Sequence, residues 1–477
     1  RAPTRLIAQP LAPAIAVGRQ VSPGIPPAEP LLSKAAPTPS SPTPLRTRQA
    51  CALRVFFFRA FADEALMPEG LRLLLDPRSV RLRQLPLRQR LRAAWRVTLA
   101  RLAPLGGTSD GNEVTVFFDG DGAYDAMLGA IARAQQRAWL ETYIFEPDRA
   151  GRPFLDALTA AARRGVDVVL LYDVVGSPHL TAELLAPLKN AGAVVLAFNP
   201  LWRWRWTWHW RWRRRLPMLH RDHRKILIVD DAGFCGGMNI AEDYAGPKYG
   251  NSRFRDTHAA LAGPCVADLA DVLRASVRVA GGPGLPSMER PLPRERGVLL
   301  QVLASNVRRR KRHIQRALYH TIGRSVSTCF LTTPYFVPPP RLSRALVHAA
   351  RRGVDVRVVT AGISDVPVAA AAARHLYGSL LRAGVRIFEM TGRTLHAKTA
   401  AIDGLYASVG SFNLDRWSFS RNLEVNFAAI GPGLAKGLEQ RMSDDLVMSR
   451  EVELVEYDAR GWWNRLKGFV AYQLMRL

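Results

Sequence analysis

The sequence predicts an α/β protein built from two homologous halves, each a mixed and mostly parallel sheet flanked by helices. Three observations carry this. From about residue 111, short β-branched runs (VTVFF, VDVVLLYD, AVVLAF) alternate with alanine-rich amphipathic stretches (AYDAMLGAIARAQQRA, PFLDALTAAARRG), the pattern of βα units. The octapeptide AARRGVDV stands at 161–168 and again at 349–356, each time leading into an apolar strand. Two further pairs keep the same order, LETYIFEPD with LTTPYFVPP and LKNAGAVVLAF with LLRAGVRIFEM. Such self-similarity marks a duplicated unit, and duplicated units share sites at their junction.

The segments follow in order. Residues 1–66, rich in Pro and Ala, lack hydrophobic period and read either as a disordered tail or as an extension upstream of Met67. Residues 67–110 mix leucine with arginine around prolines and read as a basic helical segment, lying on a lipid headgroup surface or packing one leucine face on the body. The first half is expected over 111–285 and the second over 286–435, joined by the Gly/Pro/charge stretch GGPGLPSMERPLPRERG at 281–297. Residues 436–477 read as an amphipathic tail ending in GWWNRLKGFVAYQLMRL.

Composition narrows the partner. The chain has 477 residues, 48% of them apolar, and a formal charge of +27, which calls for nucleic acid, an anionic membrane surface or a phosphorylated substrate. Its four cysteines are scattered, which predicts neither disulfides nor a zinc site and fits a reducing, cytosol-facing location. No run of 18 uncharged apolar residues occurs, so no transmembrane helix is expected. Only eight of the 67 cationic residues are lysine, so each lysine deserves inspection.

Two of those lysines fall in a repeated motif, His-x-Lys-x4-Asp: His223, Lys225 and Asp230 in HRKILIVD, and His396, Lys398 and Asp403 in HAKTAAID. On a strand, residues two apart share a face, so each histidine and lysine project together while the apolar residues behind anchor the strand. Each strand is followed by a glycine turn ending in asparagine, Asn239 in GGMN and Asn413 in GSFN. Two imidazoles, two ammonium groups and two carboxamides suit a phosphodiester. Lysine and amide donors hold the non-bridging oxygens, one imidazole attacks phosphorus, and the other protonates the leaving alkoxide. An acid further along is expected to orient each histidine: Asp256, 33 residues after His223, and Glu424, 28 residues after His396. Asp230 and Asp403 read as supports at strand ends rather than proton carriers. No metal-ligand spacing appears, so metal-independent chemistry without a cofactor is expected.

These residues resemble the phospholipase D superfamily, whose mark is the doubled HxKx4D followed by a glycine turn and asparagine. Within it, HRDHRKILIVD, FRDTH, TTPYFVPP, LHAKTAAID and SRNLEVN look like the bacterial cardiolipin synthases of the shorter type that lacks amino-terminal membrane helices. The resemblance covers about three quarters of the chain. It implies a pseudo-twofold, bilobal arrangement with one active site between the halves, and catalytic roles for His223, Lys225, Asp230, His396, Lys398 and Asp403. It further implies a phosphohistidine on His223, with His396 as general acid, and phosphate contacts from Lys225, Lys398, Asn239 and Asn413. Two departures from the pattern stand out. Five residues separate Asp230 from Gly236 where six separate Asp403 from Gly410, and the first downstream acid is Asp256 rather than glutamate.

The implied reaction moves a phosphatidyl group from one phosphatidylglycerol to a second, with phospholipid hydrolysis as the alternative and nucleic-acid cleavage behind it. The implied setting is the cytosolic face of a bacterial inner membrane. WRWRWTWHWRWRRR at 202–215 sets tryptophans on alternate positions just before the first motif, so Trp204, Trp206 and Trp208 are expected to meet the bilayer, as are Trp462 and Trp463.

Overall fold

The computed structural model describes residues 86–199, 220–306 and 311–475. Helix α1 (Leu87–Arg101) leads into β1 (Gly106–Phe117). The first half continues through α2 (Gly120–Arg133), β2 (Arg137–Thr142), α3 (Gly151–Arg163), β3 (Asp167–Asp173), α4 (Ala182–Asn190) and β4 (Val194–Phe198). The hairpin β5 (Ile226–Val229) and β6 (Ala232–Gly236) follows, then β7 (Phe254–Arg255), β8 (His258–Ala262) and α5 (Cys265–Ala280). The second half runs β9 (Val298–Asn306), β10 (Lys311–Arg312), α6 (His313–Arg324), β11 (Thr328–Thr332), α7 (Pro340–Arg351), β12 (Asp355–Ala361), α8 (Pro367–Leu381) and β13 (Arg386–Met390). It closes with β14 (Thr394–Leu395), the hairpin β15 (Thr399–Ile402) and β16 (Tyr406–Gly410), α9 (Arg416–Ser420), β17 (Leu423–Ile430) and α10 (Pro432–Val447). Last come β18 (Ser449–Glu451), α11 (Leu454–Asp458) and α12 (Trp462–Leu474).

One 16-stranded sheet runs through both halves, and its order makes the duplication explicit. At its centre β1 and β9 pair antiparallel. Outward from β1 come β8, β6, β5, β2, β3 and β4; outward from β9 come β17, β16, β15, β11, β12 and β13. Each of these strands thus has a counterpart across a pseudo-twofold axis at the β1/β9 pair, while β10 and β18 are additions to the second half. The sheet is mixed, and the expectation of mostly parallel strands is corrected. Only β2–β3–β4 and β11–β12–β13 run parallel within it, each joined by helical crossovers. The motif strands sit in hairpins, and a short connection can join only antiparallel neighbours.

The repeated octapeptide shows why the copies fold alike. Gly165 and Gly353 take left-handed φ values of 87° and 88° just past α3 and α7, where a side chain would be strained. The amides of Val166 and Val354 then bond back to Ala161 and Ala349, both at 3.2 Å, which stops each helix and starts the strand. The second arginine caps a neighbouring helix end, Arg164 on the Ile131 carbonyl at 3.1 Å and Arg352 on that of Ile322 at 3.3 Å.

Three apolar cores result. Helices α2, α3 and α4 cover one face of the first half, and α6, α7 and α8 cover the corresponding face of the second. A third core joins the halves, with Leu269 and Leu273 of α5 and Leu438 of α10 over Trp139, Val302 and Phe427. Helix α1 packs through fully buried Trp95 on the second half, so this part of the basic segment lies on the body rather than on lipid. The boundary expected at 435/436 falls inside α10, and β18 beyond it pairs with β13 as part of the sheet. Among the described residues no helix is long and apolar enough to cross a membrane.

Each motif aspartate turns its hairpin with a left-handed φ, 48° at Asp230 and 56° at Asp403. Asp230 accepts the amides of Gln135, Gln136 and Arg137 at 2.8 to 3.0 Å. Asp403 accepts those of Val326, Ser327 and Thr328 and also the Trp95 indole at 3.1 Å. Both carboxylates are therefore occupied in bracing the loop before β2 or β11, and the catalytic part implied for them reduces to support. Asp403→Ala strands several buried donors and is expected to cost about 3 kcal/mol or more in denaturant unfolding. Asp230 is less buried, so Asp230→Ala should cost clearly less.

Candidate active site

The two motifs meet because each histidine lies on an extended segment paired with the other half. Asp222 bridges in parallel to Leu423, with the His223 amide on the Leu423 carbonyl at 3.0 Å. Likewise β14 pairs with β7, and the His396 amide donates to Arg255 at 2.9 Å. This pairing sets each imidazole against the acid of the opposite half. His223 Nδ1 lies 3.0 and 3.1 Å from the two Glu424 oxygens, and His396 Nδ1 lies 2.6 Å from Asp256 Oδ2. Sequence order had placed each acid downstream of the histidine in its own half; the structure crosses them. A carboxylate can only accept, so each imidazole carries its proton on Nδ1 and turns the lone pair of Nε2 outward.

The lysines stay beside their histidines. Lys225 Nζ donates to the His223 carbonyl at 2.8 Å, and Lys398 Nζ lies 2.8 Å from His396 Nδ1 and bonds the His396 carbonyl. The spacing departure is absorbed in the hairpin turns. Val229 pairs with Ala232 across two residues, whereas Ile402 pairs with Tyr406 across three. Gly236 and Gly410 then occupy the same register, opposite His258 and Asn426, and each asparagine follows three residues later. Asn239 accepts the Ile144 amide at 3.1 Å, while Asn413 Oδ1 is buried with no hydrogen-bond partner. Glycine at 237 is a packing requirement, because a Cβ there would lie 2.2 Å from Asp256 Oδ1.

Burial governs the charge state. It lowers the pKa of both histidines, His396 to about 4 with help from the Lys398 charge, and of both lysines, Lys225 to about 7 and Lys398 to about 8. Burial pushes Asp256 and Glu424 the other way, but the facing histidines and lysines outweigh it. Asp256 is held down at about 2 and Glu424 is lowered as well. The site is thus a buried enclosure in which two lysines face two ionised carboxylates and both histidines are neutral, and a bound phosphodiester would add the negative charge that keeps the lysines, and one histidine, protonated. The charged lysines are the binding forms. Below pH 7 both are already protonated, and above pH 8 each must take up a proton on binding. Affinity for a phosphodiester analogue that is not turned over should therefore fall by up to about tenfold per pH unit between 7 and 8, where Lys225 loses its proton, and more steeply above 8, where Lys398 does so as well. Calorimetry in buffers of different ionisation enthalpy should register proton uptake.

Several contributors were not foreseen from sequence. The Tyr143 ring stands edge-on to His223 at 5.1 Å and lies 5.2 Å from Lys225 Nζ. Tyr244 and Phe254 flank His396 at 5.1 and 5.4 Å. Arg221 shares the face of His223 and Lys225, as its spacing of two foretells, and is fixed by Asp173 at 3.0 Å. Arg224 points the other way and crosses the junction, bonding the carbonyls of Glu424 at 3.2 Å and Ser305 at 3.1 Å. It adds a side-chain tie to the backbone bonds that hold the Glu424 strand against the His223 segment. Ser411 and Asn422 also donate to the Glu424 carboxylate. Trp204, Trp206 and Trp208 lie outside the described residues, whereas Trp462 and Trp463 are exposed on α12. Among the described residues no cluster of His, Cys, Asp and Glu is arranged to hold a metal ion.

A duplicated α/β fold that closes two His-x-Lys pairs, each histidine braced by an acid of the other half, around one buried centre defines the phospholipase-D-like class. A family model described as "Cardiolipin synthase, PLD-like domain" matches residues 127–249 and 318–446, one segment in each half. The chain is 32% identical over 382 residues to cardiolipin synthase B of Salmonella typhimurium, covering 78% of this chain and 89% of that one. It is 30% identical over 365 residues to the cardiolipin synthase of Clostridium perfringens, covering 74% and 75%. The crystal structure of a phosphatidylserine synthase from Haemophilus influenzae shares the fold at a TM-score of 0.55 and 14% identity, over 80% of this chain and 96% of that one. The chain belongs to the cardiolipin synthase family of phospholipase-D-like enzymes.

Proposed function

We propose that this enzyme transfers a phosphatidyl group from one phosphatidylglycerol to the glycerol hydroxyl of a second, giving cardiolipin and glycerol. The observation that carries the proposal is the crossed pairing of His223 with Glu424 and His396 with Asp256, which gives each imidazole a carboxylate acceptor from the opposite half. The anionic phosphodiester entering beside His396 favours its imidazolium form, with a second proton taken up on Nε2; Nε2 of His223 then attacks phosphorus, the bond to the glycerol oxygen breaks, and His396 gives that oxygen the Nε2 proton. His396, now neutral, removes the proton from the incoming hydroxyl, whose oxygen attacks phosphorus and releases His223. Lys225, Lys398, Asn239 and Asn413 hold the non-bridging oxygens throughout. Leaving group and acceptor are both glycerol hydroxyls, so a near-symmetric acid and base suit both steps. We place the enzyme on the cytosolic face of a bacterial membrane, with bilayer phospholipid as partner and without nucleic acid, metal or cofactor.

The test is purified protein with phosphatidylglycerol in detergent and chelator. Cardiolipin and glycerol should appear in equal amounts. Phosphatidic acid alone would replace the proposal with phospholipid hydrolysis, and cleavage of DNA without lipid turnover would overturn both.

A further inference from the structure

We infer that α12, together with residues 363–368, forms a face that inserts among the headgroups of an anionic bilayer and seats the site against it; the inference rests on the lipid substrate proposed above. Helix α12 is docked by its small side. Gly468 lies against the Ala371 carbonyl and His375 of α8, where a Cβ would be crowded at 3.3 Å from that oxygen. Ala471 is buried beside it. Arg460 ties to the Arg374 carbonyl at 3.3 Å and Tyr457 to that of His375 at 3.2 Å, which fixes the approach. Tyr472 packs on His375 and Phe469 touches its ring edge, while most of the large apolar side chains face outward. Trp462, Trp463, Leu466, Phe469, Val470 and Leu474 are 42 to 72% exposed on a helix about 20 Å long, too short to span a bilayer. An ordinary surface helix does the reverse.

The occupant follows from charge and from continuity. No acidic residue occurs from Arg460 to Leu477, while Arg465 and Lys467 flank the apolar face. With a net charge of +27, a second copy of the chain would be repelled and an anionic surface attracted. The patch also leads to the chemistry. Helix α8, which exposes Val368 in its first turn, begins at a loop exposing Ile363 and Val366, and Asp365 in that loop holds the Tyr335 hydroxyl at 2.8 Å. Two residues before Tyr335, Thr333 accepts the Leu414 amide at 3.2 Å, next to Asn413 of the site. The exposed apolar loop is thus two contacts from a residue proposed to hold phosphate.

The experiment is sedimentation with sucrose-loaded vesicles of phosphatidylglycerol and phosphatidylcholine, comparing the full chain with Trp462→Ser/Leu466→Gln/Val470→Gln. The three positions are one turn apart and exposed, so thermal unfolding should not change. Vesicle partitioning should fall about tenfold or more, with turnover of long-chain lipid falling alongside and turnover of a soluble short-chain phosphatidylglycerol unchanged. Val470→Glu alone should act in the same direction through repulsion. Unchanged partitioning, or equal loss on the short-chain substrate, would overturn the assignment. So would a shift from dimer to monomer in sedimentation equilibrium, which would make the face a contact between copies. Vesicle binding by a protein that turns over no lipid would remove the proposed reaction and leave the surface standing.

Discussion

His223→Ala and His396→Ala each lower turnover of phosphatidylglycerol by about 10⁴-fold or more, as expected when nucleophile and proton carrier act in one step. The two losses should differ in kind. If His223 forms the bond to phosphorus, no improvement in the leaving group rescues its removal. His396 is needed in the first step only to protonate the departing oxygen, so a phosphatidyl ester of a nitrophenol, which leaves without a proton, should restore a burst of nitrophenol in His396→Ala. A covalent phosphoenzyme should then accumulate, because the same variant lacks the base for the second step. Acid quenching and mass spectrometry of the peptide carrying His223 read this directly. A burst from His223→Ala instead would exchange the two roles and keep the mechanism. Full activity in either variant would reject a two-histidine reaction.

The site was legible in the sequence to the extent that its chemistry demands scarce residues in fixed spacing. Lysine is rare here, so Lys225 and Lys398 beside a histidine stood out, and alternation placed each pair on one face. The duplication was legible because AARRGVDV builds the same helix stop and strand start twice, around a glycine that must be left-handed. Strand direction was not legible, since periodicity reports a strand's faces and not its neighbours. Nor was the crossing of the acids, which depends on the pseudo-twofold at β1/β9 carrying each carboxylate over to the other half. The unequal motif spacing, five residues against six, amounts to one residue in a hairpin turn that register cancels. Arg224 was hidden for a related reason. The two carbonyls it bonds, of Glu424 and Ser305, lie on strands of the other half, and its counterpart in the second motif is Ala397, so no repeat announced it.

The crossed acids also separate two substitutions that look equivalent on paper. Asp256→Asn should lower kcat by roughly 10³- to 10⁴-fold, and Glu424→Gln by only about 10- to 100-fold. The difference lies in what holds each carboxylate. Asp256 Oδ1 accepts the Thr257 amide at 2.7 Å and Oδ2 faces His396, so an asparagine must keep its oxygen toward Thr257 and turn its NH₂ toward Nδ1. That presents a donor where the imidazole needs an acceptor, and it drives the proton to Nε2, the atom that must exchange protons with glycerol. Glu424 instead offers both oxygens to His223 at nearly equal distance, with Ser411 and Asn422 beside them. A glutamine can turn its NH₂ to the Ser411 hydroxyl, which can accept as well as donate, and still give His223 an oxygen. The Asp256→Asn defect acts through His396, so it should shrink markedly on the nitrophenyl ester, where the first step needs no proton. The smaller Glu424→Gln defect should persist there, because it acts on the nucleophile. Equal losses on both substrates for both variants would mean that the acids only hold the halves together.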